Sequence, residues 1–175
     1  GPFDNTAVAS GDSPDGTTTT DNSQDGADPD PDTNDDPTDN EDPTPINIIE
    51  DPVIGIAKSA GAATDNGDGT FTTAITLTVE NFGNVDLSNV QVSDDLTATF
   101  SAPTTFSVTG LTSTDFTVDA TFDGNANQNL LTAVDSLAVG ASGTITFDLT
   151  FDPNGVAGPF DNTAVASGDS PDGTT

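Results

Sequence analysis

Residues 65–80 have the sequence DNGDGTFTTAITLTVE, and this stretch decides the fold class. Its first five residues combine Asp, Asn and two glycines, which accept the backbone conformations of a tight hairpin turn. The following residues alternate between a mainly apolar and a mainly polar set, a period of two that is typical of a strand with one buried face. The stretch therefore predicts a β-hairpin packed on a core. The inward set is Phe71, Thr73, Ile75, Leu77 and Val79.

Similar patterns lie on both sides of this hairpin. Residues 144–151 alternate as strongly, and turn signals without helical periodicity separate the weaker candidates. The chain therefore predicts an all-β fold, an immunoglobulin-like β-sandwich of about seven to eight strands. The weaker strands are expected at residues 54–58, 87–92, 100–108, 116–122 and 160–167.

The same eighteen residues, GPFDNTAVASGDSPDGTT, stand at positions 1–18 and again at 158–175. Such self-similarity indicates a tandem repeat of which the chain covers about one period. We interpret residues 1–10 as the last strand of a preceding repeat, residues 46–167 as the sandwich, and residues 168–175 as the start of the next linker. Repeat arrays span, adhere or scaffold more often than they catalyse.

Residues 11–45 contain almost no apolar side chains and are dominated by Asp, Pro, Thr, Asn and Gly. A segment of this composition does not build a core, and its prolines favour extended, polyproline-like backbone. We expect an extended Asp/Pro-rich linker here.

The charge balance is extreme, with 30 acidic residues, the single base Lys58 and a net charge of −29. This surface disfavours nucleic acid and anionic membranes as partners, and no apolar run is long enough to insert into a membrane. Because His, Cys and Tyr are absent, a nucleophile–base triad has few candidate residues and a Cys-based metal site has none, and we expect no enzyme. So many carboxylates require counter-cations, either calcium or the salt of a saline habitat.

Six linker residues have the spacing of a calcium-binding loop, at positions 1, 3, 5, 7, 9 and 12. Thr33 stands where an EF-hand needs Gly, and the prolines exclude flanking helices, so the loop is not an EF-hand. Alternating carboxylates nevertheless predict a calcium site; the alternative is a solvated spacer that binds ions diffusely. The six residues are Asp28, Asp30, Asp32, Asn34, Asp36 and Asp39. Lesser calcium candidates, each also explained by a local turn, strand end or the solvated spacer, are Asp12, Asp15, Asp21, Asp25, Asp42, Asp65, Asp68, Asp94 and Asp95.

Lys58 shares the strand parity of Ile54 and Ile56, so its ammonium is expected on the buried face, where it needs a partner. One hypothesis is that the side chain extends to the surface and meets an Asp. The other is an isopeptide bond from Lys58 to Asn162 that resembles those in Gram-positive adhesin sandwiches. Burial would raise the pKa of an acid that moves the protons. The candidates for that acid are Asp148, Glu80 and Asp94.

Four stretches of the chain resemble a known family. They are IGIAKSA (54–60), DNGDGTFTTAITLTVENFGNVDLSNVQVSDDL (65–96), VGASGTITFDLTF (139–151) and DNTAVASGDSPDG (161–173). They are similar to the bacterial surface repeats known as domain-of-unknown-function eleven. The resemblance implies an immunoglobulin-like repeat of a very large exported protein, secreted or displayed on the cell surface, with no established catalytic residues.

Together these observations favour a structural repeat of a long extracellular fibre or giant adhesin, stiffened between domains by calcium and in contact with neighbouring repeats. One alternative is an adhesin module whose loops, such as residues 123–129, bind a glycan or a protein. Another is a filament subunit whose residues 3–10 complete the sandwich of a neighbouring chain.

Overall fold

The computed structural model describes residues 3–173 and is nearly all-β. The chain divides into two compact units, Gly1–Ile49 and Glu50–Thr175. Among the described residues no helix is long and apolar enough to cross a membrane.

The first unit contains two small antiparallel pairs and one 3-10 turn, Pro37–Asp39. Strands β2 and β3 form a hairpin, and β1 pairs with β4. Their bounds are β1 Phe3–Asn5, β2 Val8–Asp12, β3 Thr18–Asn22 and β4 Thr44–Ile46.

The extended backbone predicted for residues 11–45 is therefore wrong for this unit, because the segment turns back on itself. The chain reverses at residues 13–17, where Gly16 has a positive φ of 87° and its N–H donates to the Ser13 carbonyl. The threonines that follow pair with β2, since threonine suits an exposed strand. Phe3, Val8 and Ile46 are exposed, and among the described residues of this unit no apolar side chain is buried.

The second unit contains two sheets and one helical turn. In the larger sheet the order is β5-β7-β10-β9, and β6 also pairs with β7; β8 and β11 form the smaller sheet, and all pairs are antiparallel. The bounds are β5 Ile54–Ala60, β6 Thr64–Asp65, β7 Phe71–Asn81, β8 Ser88–Asp94, α1 Leu96–Thr99, β9 Thr105–Ser113, β10 Ser142–Asp152 and β11 Ala164–Asp169.

Side chains from both sheets share one hydrophobic core, as in a β-sandwich. Leu77 of β7 and Ile145 of β10 face each other in register, and Val92 of β8 belongs to the same cluster. Inward positions of β7 and β10 are buried and outward ones more exposed, which confirms the alternation predicted from the sequence. Burying each such side chain contributes about 1.5–3 kcal/mol.

The region between β8 and β10 differs from the prediction. The expected strand at 100–108 begins only at Thr105, because Asp95 accepts hydrogen bonds from the backbone of residues 97 and 98 and starts α1 instead. No strand forms at 116–122, where one isolated bridge joins Val118 to Leu131. Asp119 bonds the N–H of Thr121, a local turn that competes with strand pairing.

The closing segment runs from the end of β10 to β11. Phe160 packs against Phe100 with ring centroids 5.3 Å apart and against Phe151 at 5.6 Å. After this anchor, β11 pairs with β8 and lies against β5. The first and last strands of the unit therefore meet at one edge.

Candidate functional site

Lys58 lies at this edge, on β5. It pairs with Leu77 of β7, so its side chain starts from the inward face, as its parity predicted. Only 12% of the side chain is exposed. It lines a cavity of about 280 Å³ whose other walls are largely apolar. They include Ile75, Phe100, Leu149, Phe151 and Phe160.

Asp94 is the last residue of β8 and the partner of Lys58. Its backbone pairs with Ala164 of β11, and its side chain is 0% exposed. Oδ2 forms an ion pair with the Lys58 Nζ. Oδ1 is buried and has no hydrogen-bond partner within residues 3–173.

Asn162 approaches the same carboxylate from the closing segment, two residues after the Phe160 anchor. Its Nδ2 donates to Asp94 Oδ2 at 3.5 Å. The hydroxyl of Thr99, at the end of α1, lies 3.3 Å from the Asn162 Oδ1 and 2.9 Å from the Asp161 carbonyl oxygen. One carboxylate oxygen thus contacts both an amine and a side-chain amide.

Burial weakens both charges of the ion pair. It lowers the pKa of Lys58, although the hydrogen bond and charge of Asp94 oppose this. It raises the pKa of Asp94, although hydrogen bonds from Lys58 and Asn162 oppose this, and the charge of Asp95 adds to the rise. Both shifts favour the neutral amine and carboxylic acid, so proton transfer within the pair costs less here than in water.

The structure distinguishes among the three acids considered as partners of Lys58. Glu80 is paired with Gly55 and Ser142 and lies on the outward parity of β7, opposite to Leu77. Asp148 is exposed on β10. The expectation that either could serve Lys58 is wrong, because both project from the other face of the sheet.

The carboxylates of the predicted calcium loop mostly accept hydrogen bonds from the loop itself. Asp30 accepts from the N–H of Asn34 and of Asp35. Asp32 and Asp39 both accept from Asn34 Nδ2, at 3.0 and 3.1 Å. Asp28 bonds the N–H of residue 30, and Asp36 that of residue 38.

Two carboxylates therefore converge on one amide, whereas calcium takes six to eight oxygen ligands. Within residues 3–173 no group of three or more acidic side chains is arranged to hold a metal ion. The fit to calcium is partial, and the calcium site stays a prediction.

The lesser calcium candidates are engaged mainly in local turns. Asp12 bonds the Thr18 hydroxyl, Asp65 the N–H of residue 67, and Asp25 and Asp42 are joined through their backbones. Threonine hydroxyls lower the pKa of Asp68 and Asp95, and Ser13 that of Asp15. Asp21 differs, since its Oδ1 is buried without a partner in the described residues.

Two residues near Lys58 are not identified by the sequence pattern. Phe160 is predicted to lie in a strand, but its part in fixing the backbone before Asn162 depends on its stacking with Phe100. The signal in the sequence is its position two residues before Asn162. Nothing in the sequence indicates that Thr99 reaches the same amide.

No family model matches the chain, and no match is found among curated proteins or solved structures. The likeness to the surface-repeat family therefore stays a prediction from the residues quoted above.

Proposed function

We propose that this chain is a structural repeat unit of a long extracellular fibre or giant adhesin. The observation that carries the proposal is the duplicated segment. Its second copy is an integral part of the sandwich, because Ala164–Asp169 forms β11 on β8 and the preceding Phe160 packs in the aromatic cluster. A sandwich of this type needs such a segment as its last strand, so the copy at residues 1–18 fits the end of a preceding sandwich.

The composition supports a mechanical role over a catalytic one. The full sequence has no His, Cys or Tyr, and its one Lys is held by Asp94. The net charge of −29 keeps neighbouring fibres apart and favours a location outside the cell, where divalent cations are abundant. The partners we propose are neighbouring repeats of the same chain or filament.

The test is a chain of two periods, with residues 1–157 followed by residues 1–175. We expect a particle whose maximum dimension in small-angle scattering grows in proportion to the number of repeats. We expect limited proteolysis to cut between intact sandwiches. A compact particle in which the two periods merge, or a second period that does not fold, would contradict the proposal.

Calcium is the stiffening agent we propose for the acidic unit. Asp32 and Asp39 already lie on either side of one amide, and a cation at that position gains two carboxylates. An ion bound only by the ordered unit stabilises it by mass action. In the two-period chain, calcium should raise the melting temperature and lengthen the particle relative to excess chelator at equal ionic strength. If neither the melting temperature nor the particle length changes, calcium does not stiffen the acidic unit, and the unit is a solvated tether.

Donor-strand assembly is the second candidate, and the exposure of the first copy favours it. Phe3 is 61% exposed, whereas its equivalent Phe160 is packed against two aromatic rings. Residues 3–10 would then displace residues 160–167 of another chain and take their place in its sandwich. Deleting residues 1–10 should convert assembled protein into monomers. Unchanged assembly after the deletion would contradict this candidate.

A further inference from the structure

Three side chains that the fold brings together from distant parts of the sequence meet at one atom. Lys58 Nζ and Asn162 Nδ2 both contact Oδ2 of Asp94, and the site borders an apolar cavity. In an amide exchange the amine and the carboxamide are the reactants, and a carboxyl group in contact with both can carry the protons between them. We propose that Lys58 and Asn162 become joined by an intramolecular isopeptide bond, with Asp94 carrying the protons.

The burial of Asp94 distinguishes this arrangement from an ordinary ion pair. A stable buried ion pair satisfies its remaining oxygen atoms with further hydrogen bonds. Here Oδ1 of Asp94 has no such partner in the part of the chain described, and the side chain is 0% exposed. A carboxyl group in these surroundings is better suited to the neutral, protonated state than to a permanent charge.

The reaction balances without an oxidant or reductant. The Lys58 ammonium first gives a proton to Asp94, which leaves a neutral amine and a carboxylic acid. The amine lone pair attacks Cγ of Asn162 and forms the Nζ–Cγ bond, while Asp94 protonates the amide oxygen. Asp94 then takes a proton from Nζ and delivers it to Nδ2. The Cγ–Nδ2 bond breaks, ammonia leaves, and the oxygen returns its proton to Asp94.

The surroundings assist each part of this exchange. The largely apolar walls of the cavity and the burial of Lys58 favour the neutral amine that must act as nucleophile. Phe160 packs against two aromatic rings just before Asn162 and β11 begins just after it, so the backbone on both sides of the reacting amide is fixed and the reactants need not search for each other. The Thr99 hydroxyl lies 3.3 Å from Oδ1 of Asn162, where a hydrogen bond polarises the carbonyl for attack before Asp94 protonates this oxygen.

The bond would connect the first strand of the sandwich to the segment that leads into the last. A pulling force that enters near residue 58 and leaves near residue 162 would pass through the bond and bypass the hydrogen bonds between. The chemistry of the bond does not depend on the proposed fibre function.

The experiment is intact mass spectrometry of the full chain under denaturing conditions, followed by trypsin. Wild-type protein should weigh less than its sequence by one ammonia molecule. Lys58 is the chain's only Lys or Arg, so trypsin has one site of cleavage, and the bond should protect it even in denaturant. Digestion at acidic residues should release one branched peptide that contains both Lys58 and Asn162.

Two variants complete the design. Asn162→Ala should have its full sequence mass and be cleaved at Lys58. Asn5→Ala changes the equivalent residue of the first copy and should behave as wild type. An unshifted wild-type mass, or separate linear peptides carrying Lys58 and Asn162, would overturn the proposal. So would an ammonia loss that persists in Asn162→Ala, since Asn–Gly sequences at 66–67 and 154–155 can also lose ammonia by cyclising.

Discussion

Asn162→Ala is the substitution that measures what the Lys58–Asn162 bond contributes to stability. The shorter side chain removes the electrophile but leaves Lys58 and Asp94 paired. Asn162 is only half-buried and lies outside β11, so the substitution opens no large cavity in the core. The variant should fold, which makes its melting temperature comparable with that of wild type.

The magnitude follows from loop closure. A covalent link between residues 58 and 162 closes a loop of about 100 residues, which in the chain-entropy treatment of cross-links stabilises by about 4.7 kcal/mol. Losing the hydrogen bond alone costs about 0.5–1.5 kcal/mol. The unfolding entropy is about 2.1 cal/mol/K per residue, so 1 kcal/mol shifts the melting temperature of Glu50–Thr175 by about 4 °C. If the covalent bond is present in wild type, the melting temperature of Asn162→Ala should be lower by about 15–20 °C. Loss of the hydrogen bond alone should lower it by about 4 °C.

The assay is differential scanning calorimetry of wild type, Asn162→Ala and the control Asn5→Ala at one salt concentration. Wild type and the control should melt together, with Asn162→Ala far below them. A decrease of only a few degrees, or an equal decrease in Asn5→Ala, would refute the reasoning that a covalent link closes this loop.

Other perturbations test the core, the turns and the ion pair. Leu77→Ala, at a position with no exposed surface, should cost about 2–5 kcal/mol in urea unfolding, and the exposed control Thr144→Ala almost nothing; equal costs would contradict the sandwich core. The Thr121 hydroxyl lowers the pKa of Asp119, so this residue's contribution to stability is present above its unfolded pKa and is lost as the pH falls through the lower folded value. The stability difference between wild type and Asp119→Ala should therefore shrink below pH 3.8, and a difference that grows in acid would contradict this. Asp94→Asn should abolish the ammonia loss in the intact mass while circular dichroism still shows β structure; a retained loss would remove Asp94 from the reaction.

Strands β7 and β10 could be predicted from the sequence because the alternation of apolar and polar residues that marks them is local. In β7 and β10 the inward positions are mainly apolar over about ten residues, and the structure buries most of them. Residues 116–122 also contain apolar side chains, but Asp119 satisfies nearby N–H groups, so Phe116 and Phe122 reach the core from irregular backbone. Side chain–backbone bonds of this kind are not visible in a hydrophobic pattern.

The candidate site could be predicted only in part. Strand parity places Lys58 on the inner face of the sheet, and the same rule places Glu80 and Asp148 on the outer face. The choice of Asp94 as the partner depends on how the sheet of β8 and β11 packs against β5, which no local pattern specifies. The orphaned Oδ1 of Asp94 and the contact of Thr99 with Asn162 follow from that packing.

Stretching a chain of several repeats by single-molecule force spectroscopy tests the central claim, that this repeat is a mechanical unit locked by its own side chains. With the bond in place, residues 58–162 contribute no length when a sandwich yields. Without it each sandwich releases about 350 Å more, at roughly 3.3–3.6 Å per residue. The account predicts that wild-type repeats lack this extension and that Asn162→Ala repeats show it. Full extension of wild-type sandwiches would contradict the account.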